Sequence, residues 1–180
     1  MDAVDNLKRE VQLEELALQA IEKELAIIRR SGRPNLVRLH QVLDFARNFE
    51  DRCHRKKEED HLFRILRQHG NSALQQQLDS MSRDLEEEAR LIRIVSEATS
   101  EFSLSDPTTT EAIRKSLHDY HDCMKTRVHK ENAYLLPLLR RSLSAEEKRV
   151  LGNEFEDVDH ETGGAEARVR YEGLLRQAVG

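Results

Sequence analysis

The stretch Cys53-His54-Arg55-Lys56-Lys57-Glu58-Glu59-Asp60-His61-Leu62-Phe63 places His54, Glu58 and His61 at i, i+4 and i+7 on one face of a predicted helix. Imidazole and carboxylate on adjacent turns can converge on one metal ion, and facing helices of a bundle can enclose an iron pair between them. A guanidinium at Arg127 opposes this reading. It stays protonated at any relevant pH and repels a dication wherever the two meet.

Long helices must carry these residues. The first periodic segment runs from about Asp5 to Arg30 and stops at Ser31-Gly32-Arg33-Pro34; the second spans about Asn35 to His69. Gly70-Asn71-Ser72 supplies a stop and a cap before a third, about Ala73 to Glu101. Ser105-Asp106-Pro107-Thr108 opens a fourth that continues to about Arg141, with a kink expected at Pro137. Short connections between long neighbours favour an all-α, antiparallel up-down-up-down four-helix bundle, here one domain over residues 1–180. A short C-terminal helical extension follows: a capping box at Ser144-Ala145-Glu146-Glu147 opens a helix to about Val158, and Gly163-Gly164 precedes a last amphipathic piece, Ala165 to Ala178, with Val169, Leu174 and Leu175.

Heptad-like steps define the inward seams. They are Leu7, Val11, Glu14, Leu18, Ile21, Leu25 and Ile28 in the first helix and Leu74, Leu78, Met81, Leu85, Glu88, Ile92 and Val95 in the third. In the fourth they are Ile113, Leu117, Tyr120, Met124, Arg127, Glu131, Tyr134 and Leu138. Glu14, Glu88, Arg127 and Glu131 interrupt these seams near their middles, level with His54 and Glu58. A buried carboxylate without a counter-charge protonates or destabilises by several kcal/mol, so this level needs a metal cation or a protein cation.

The other candidates read as ordinary. His61 follows Glu58 at the Glu-x-x-His spacing of di-iron bundles and is a candidate ligand, with a surface position beside Leu62 as its plain alternative. His40 lies about 21 Å along the axis from His54, too far to share an ion. His118 and His121 form an i, i+3 pair that could hold Zn²⁺ but reads as surface, as does His129. Tyr120 and Tyr134 read as core with satisfied hydroxyls.

Composition excludes several classes. Charged residues make up 35% of the chain and aromatics 4%, with no Trp, 7 Gly and 3 Pro, a helical balance. The net charge of −5 is spread along the sequence without a basic block, which argues against nucleic acid or an anionic membrane as partner. Two cysteines, Cys53 and Cys123, read as reduced thiols, and the acidic start Met1-Asp2-Ala3-Val4-Asp5 lacks the pattern of a signal peptide; a cytoplasmic location is expected. No phosphate loop, Gly-x-Ser-x-Gly elbow or Cys-x-x-Cys pair occurs, and the chain reads as a binding protein more than an enzyme.

At these residues the sequence resembles the hemerythrin-like proteins with an HHE cation-binding domain. Cys53-His54-Arg55-Lys56-Lys57-Glu58 and Leu62-Phe63 are similar to the family's second-helix pattern, and Arg127-Val128-His129-Lys130-Glu131 with Leu136-Pro137 to its fourth. The likeness extends to Ser31-Gly32-Arg33-Pro34-Asn35, Leu143-Ser144-Ala145-Glu146-Glu147 and Gly164-Ala165-Glu166 with Tyr171, Leu174 and Leu175. The resemblance implies a non-haem di-iron centre, with His54, Glu58 and Glu131 matching its ligands. It also implies losses: the first-helix His falls near Val11, the third-helix His at Asp84 or Glu86, and the fourth-helix His is Arg127.

Two expectations result. In the first, His54, Glu58 and Glu131 with Glu88, Asp84 and His61 hold one or two ions, iron or another hard cation such as Mn²⁺ more readily than Zn²⁺. The resemblance then implies oxygen, peroxide or nitric oxide as the small ligand. In the second, Glu14, Glu58, Glu88 and Glu131 surround Arg127 in a metal-free interaction protein.

Overall fold

The structure is a computed structural model that describes residues 2–180; Met1 and the side chain of Ala165 lie outside it. Six helices and no strand occur among the described residues. Helix α1 is Ala3–Ser31, capped by the Asp2 carboxylate on the Val4 amide and closed by Gly32, whose φ of 66° is open to glycine without strain. Helix α2 begins at Leu36 under an Asn35 cap and is helical through Gln68, as the segments Leu36–Phe45, Ala46–His54, Lys57–Leu62 and Phe63–Gln68. Helix α3, Ser72–Ser100, starts from an Asn71 cap. Helix α4 starts at Pro107 behind an Asp106 cap and runs as Pro107–Lys130, Glu131–Leu135 and Leu136–Ser142.

The extension differs in extent from the expectation. Helix α5, Ala145–Thr162, opens on the Ser144–Glu147 capping box and continues past Val158 because nothing breaks it before Gly163, at φ 67°. Helix α6, Gly164–Val179, does not bury Val169, which is 74% exposed; Tyr171, Leu175 and Ala178 face inward instead. Tyr171 meets Phe45 and Phe49 edge-on at 5.5 and 5.8 Å, and pairs of this kind contribute about 0.5–1.5 kcal/mol each. The last helix thereby closes over α1 and α2.

Three stretches wind as π-helix: Ala46–His54, Lys57–Leu62 and Glu131–Leu135. The Arg55, Phe63 and Leu136 amides reach back five residues to the carbonyls of Glu50, Glu58 and Glu131. An α-turn of 3.6 residues walks residues four apart steadily around the axis, whereas the wider π-turn reverses that drift. Glu50, His54 and Glu58 therefore stay on one face. The same winding corrects the fourth seam: Leu135 is fully buried and Tyr134 only partly so, because the π-turn takes up an extra residue. It also meets Pro137, which has no amide to donate, with a bond pattern already shifted.

The interior is two apolar clusters with a charged belt between them. One joins Val11 to Ile28 of α1 with Leu91 to Ala98 of α3 and Ile113 to Val128 of α4. The other joins Ala3, Val4 and Leu7 to Leu62–Leu66, Leu78–Leu85, Leu135–Leu143, Leu151 and Phe155. Between them lie Glu10 and Glu14, His54 to Glu58, Glu88, and Arg127 with Glu131, all of them buried where the side chain faces inward. No helix of the described residues is long and apolar enough to cross a membrane.

Candidate functional site

Arg127 is the centre of the belt and is fully buried. Its guanidinium forks onto Glu88, with Nε 2.7 Å from Oε1 and Nη2 3.0 Å from Oε2, and onto Glu14, with Nη2 3.0 Å from Oε1 and Nη1 3.3 Å from Oε2. Nη2 also donates to Glu50 and Nη1 to Glu131. Planar, forked donors suit this task, and a lysine in the same place would have no such reach. Tyr120 completes the ring by donating to Glu50 Oε2 at 2.7 Å.

His54 lies beside the guanidinium. Its Nε2 is 3.3 Å from Glu14, 3.7 Å from Glu131, 3.8 Å from Glu58 and 3.5 Å from Arg127 Nη1. On the other side of the ring, Nδ1 donates to Glu10 Oε2 at 3.0 Å. A carboxylate behind an imidazole is the arrangement that orients metal-binding histidines, because it fixes the hydrogen on Nδ1 and turns the Nε2 lone pair outward. Here that nitrogen points at carboxylates. Ligand atoms of Glu14, His54 and Glu131 all lie within 4.8 Å of one another.

Glu58 is the exception in an otherwise well-bonded core. It has no exposure, and neither carboxylate oxygen receives a hydrogen bond; Glu131 Oε2 is likewise without a donor. Burial, helped by the charge of Glu131, pushes the Glu58 carboxyl up to about 8. Burial acts on Glu131 as well, but Arg127 and His54 outweigh it and hold that carboxyl at about 2. Glu14 and Glu88 are raised well above the ordinary range by burial. For His54, burial is outweighed by the charges of Glu14 and Glu58, and its imidazolium is favoured well beyond the usual value.

The electrostatic balance follows. Among the described residues, Glu14, Glu50, Glu58, Glu88 and Glu131 face Arg127 and His54 as cations. The excess negative charge is met by protons on the raised carboxyls, or by a cation that replaces them. Glu14, His54 and Glu131 have the spacing to hold one ion, and Glu58 Oε1, 3.8 Å from His54 Nε2, stands beside them with no donor, as does Glu131 Oε2. The Arg127 guanidinium occupies the space among Glu14, Glu50 and Glu88.

A neighbouring cluster has its cations built in. Lys57 is fully buried and gives its three hydrogens to Glu10 Oε1 at 2.5 Å, Asp159 Oδ1 at 2.6 Å and Asn6 Oδ1 at 3.0 Å. Arg168 adds contacts to Glu10 and to both oxygens of Asp159. Glu10, Cys53 and Asp159 also have metal-ligand spacing, but these two cations already occupy the carboxylates. Burial raises the Cys53 thiol to about 11, and both cysteines are free.

Of the residues expected at a metal, His54, Glu58, Glu88 and Glu131 come together, Glu88 as a partner of Arg127. Asp84 does not join them: its carboxylate faces out of the belt to Lys130. His61 is turned toward α5 and pairs with Glu154 at 3.3 Å. The expected ring around Arg127 also differs in one member, since Glu50 makes the contact assigned to Glu58. Glu10 and Glu50 escaped the sequence reading although each stands one turn before a recognised residue, Glu14 and His54. His121 is buried between Glu22 and Asp122, not on the surface, because α1 packs over it. His40, His118 and His129 are exposed.

These features define a helical-bundle protein with a buried carboxylate and histidine centre of the cation-binding kind. The sequence profile of the hemerythrin HHE cation binding domain matches residues 5–139. The chain belongs to that family. No curated protein and no solved structure matches it.

Proposed function

We propose that this chain, an up-down-up-down bundle with a C-terminal extension acting in the cytoplasm, binds a single hard cation, iron or manganese, through His54, Glu58 and Glu131. The observation that carries this reading is the Glu58 carboxylate, sealed from water with no donor on either oxygen. Such a group is costly unless a proton or a cation meets it. Arg127 takes the role of a second ion by neutralising Glu14, Glu50 and Glu88. Glu10 holds the imidazole so that Nε2 faces the ion, and the surrounding apolar clusters exclude water. When bound, iron supplies redox chemistry toward dioxygen, peroxide or nitric oxide, and the chain reads as a carrier or sensor more than an enzyme.

Metal analysis of protein loaded with Fe²⁺ or Mn²⁺ tests this. About one atom per chain, lost in His54→Ala and Glu58→Gln, is expected. Metal far below one atom per chain under all loading conditions rejects it. The second reading, a metal-free interaction protein, is favoured by the hydrogen bonds of Arg127 to Glu14, Glu50, Glu88 and Glu131. Arg127→His separates the two, since an added imidazole raises metal uptake only where the remaining residues form a site.

A further inference from the structure

The match to the family ends at residue 139, yet the support of His54 does not. Glu10 divides its carboxylate. Oε2 faces His54 Nδ1 at 3.0 Å, while Oε1 is held by Lys57 and by Arg168 Nη1 at 2.9 Å. Arg168 is itself fixed by two contacts of 3.0 Å to the Asp159 carboxylate, which also receives Lys57 and the Asn6 amide at 3.2 Å. Asp159 belongs to α5 and Arg168 to α6, the two helices beyond the matched segment.

Packing at the α5–α6 corner makes the arrangement specific. A Cβ on Gly164 would stand 2.4 Å from Asp159 Oδ1 and 2.7 Å from Cys53 Sγ, so only glycine lets α6 approach this closely. Cys53 immediately precedes His54, and its thiol lies 3.5 Å from the same Asp159 oxygen. A displacement of Asp159 therefore reaches His54 both through Glu10 and through the neighbouring backbone.

We propose that Asp159 and Arg168 are positioning residues for His54: by clamping one oxygen of Glu10 they dedicate the other to the imidazole Nδ1–H and aim Nε2 at Glu58. Both act through Glu10 and through no bond to the carboxylates around Arg127. The helices that follow the family domain are thus part of its site, and their docking is coupled to what the site binds.

Metal-free protein provides the first test. The Nδ1–H of His54 is buried and bonded, so its proton–nitrogen resonance is protected from solvent exchange in the wild type. Arg168→Ala and Gly164→Ala are expected to speed this exchange about tenfold while the Val95 amide, in the far apolar cluster, keeps its wild-type rate. Arg168→Lys, which retains the charge, restores much of the protection. Unchanged exchange at His54 in both Arg168→Ala and Gly164→Ala overturns the proposal, as does an equal acceleration at Val95, which would mark general loosening.

Mn²⁺ binding supplies a second arm, and this arm rests on the cation reading. The dissociation constant is expected to rise about tenfold in Arg168→Ala. Wild-type protein that takes up neither Mn²⁺ nor Fe²⁺ overturns the cation reading, while the exchange measurement still decides the positioning of His54. Mn²⁺ bound equally well by wild type and Arg168→Ala overturns the coupling.

Discussion

Arg127 and Glu88 meet through two parallel hydrogen bonds, Nε to Oε1 at 2.7 Å and Nη2 to Oε2 at 3.0 Å, in the buried centre of the bundle. This is the strongest geometry available to a guanidinium and a carboxylate. Its position between two apolar clusters makes the guanidinium the keystone of the belt, with Glu14, Glu50 and Glu131 dependent on the same group.

Removing that keystone leaves carboxylates without a counter-charge. Arg127→Ala is expected to lower stability by about 3–5 kcal/mol in urea unfolding. Millimolar Mn²⁺ should restore part of the loss in this variant, since a cation then has both the space and the ligands. No response to Mn²⁺ would show that the belt cannot exchange one cation for another.

Glu58→Gln separates stability from binding. The folded carboxyl titrates at about 8 against an ordinary 4.5, so between these values the unfolded chain gives up its proton first and the folded state loses stability as pH rises. The amide removes this penalty. Urea midpoints of the metal-free variant are expected to fall less than those of the wild type between pH 5 and pH 8, the range that about spans the shift. Metal uptake by the wild type should strengthen over the same interval, as deprotonation frees the ligand.

Tyr120→Phe deletes the donor to Glu50 Oε2 and leaves the ring packing intact. A loss of about 1–3 kcal/mol is expected, the range for a hydrogen bond to a charged or buried acceptor. Calorimetric unfolding of the two proteins measures it. An unchanged melting temperature would mean that Glu50 finds another donor.

Lys57→Met tests the second cluster. The methionine fills the volume but removes the ammonium shared by Glu10 and Asp159, leaving Arg168 with His54 on Glu10 and with Asn6 on Asp159, and a cost of about 3 kcal/mol is expected. The cost should shrink in Lys57→Met combined with Asp159→Asn, which removes the stranded charge. Additive losses in that double variant would argue against direct coupling.

Local patterning accounts for much of this molecule. The caps at Asn35, Asn71, Asp106 and Ser144 and the stops at Gly32 and Gly163 act over a few residues, and the helices they delimit were legible from the sequence. Charged residues set into apolar seams marked Glu14, Glu88, Arg127 and Glu131 as interior groups in need of one another. The same logic fell short for Glu10 and Glu50, whose inward direction depends on neighbouring helices.

What the linear order could not contain was the choice among carboxylates. Glu50, not Glu58, reaches Arg127 and His61 turns to Glu154, because π-winding and the packing of α5 set which side chains share a face, while Asp84, on the regular α3, is taken by Lys130 of α4. Spacing along a helix fixes a direction only while the turn stays regular; three wide turns redirect it here. The sequence by itself determined helices with a charged centre, and the tertiary structure decided that a guanidinium holds most of that charge while one carboxylate is left beside a histidine without a donor.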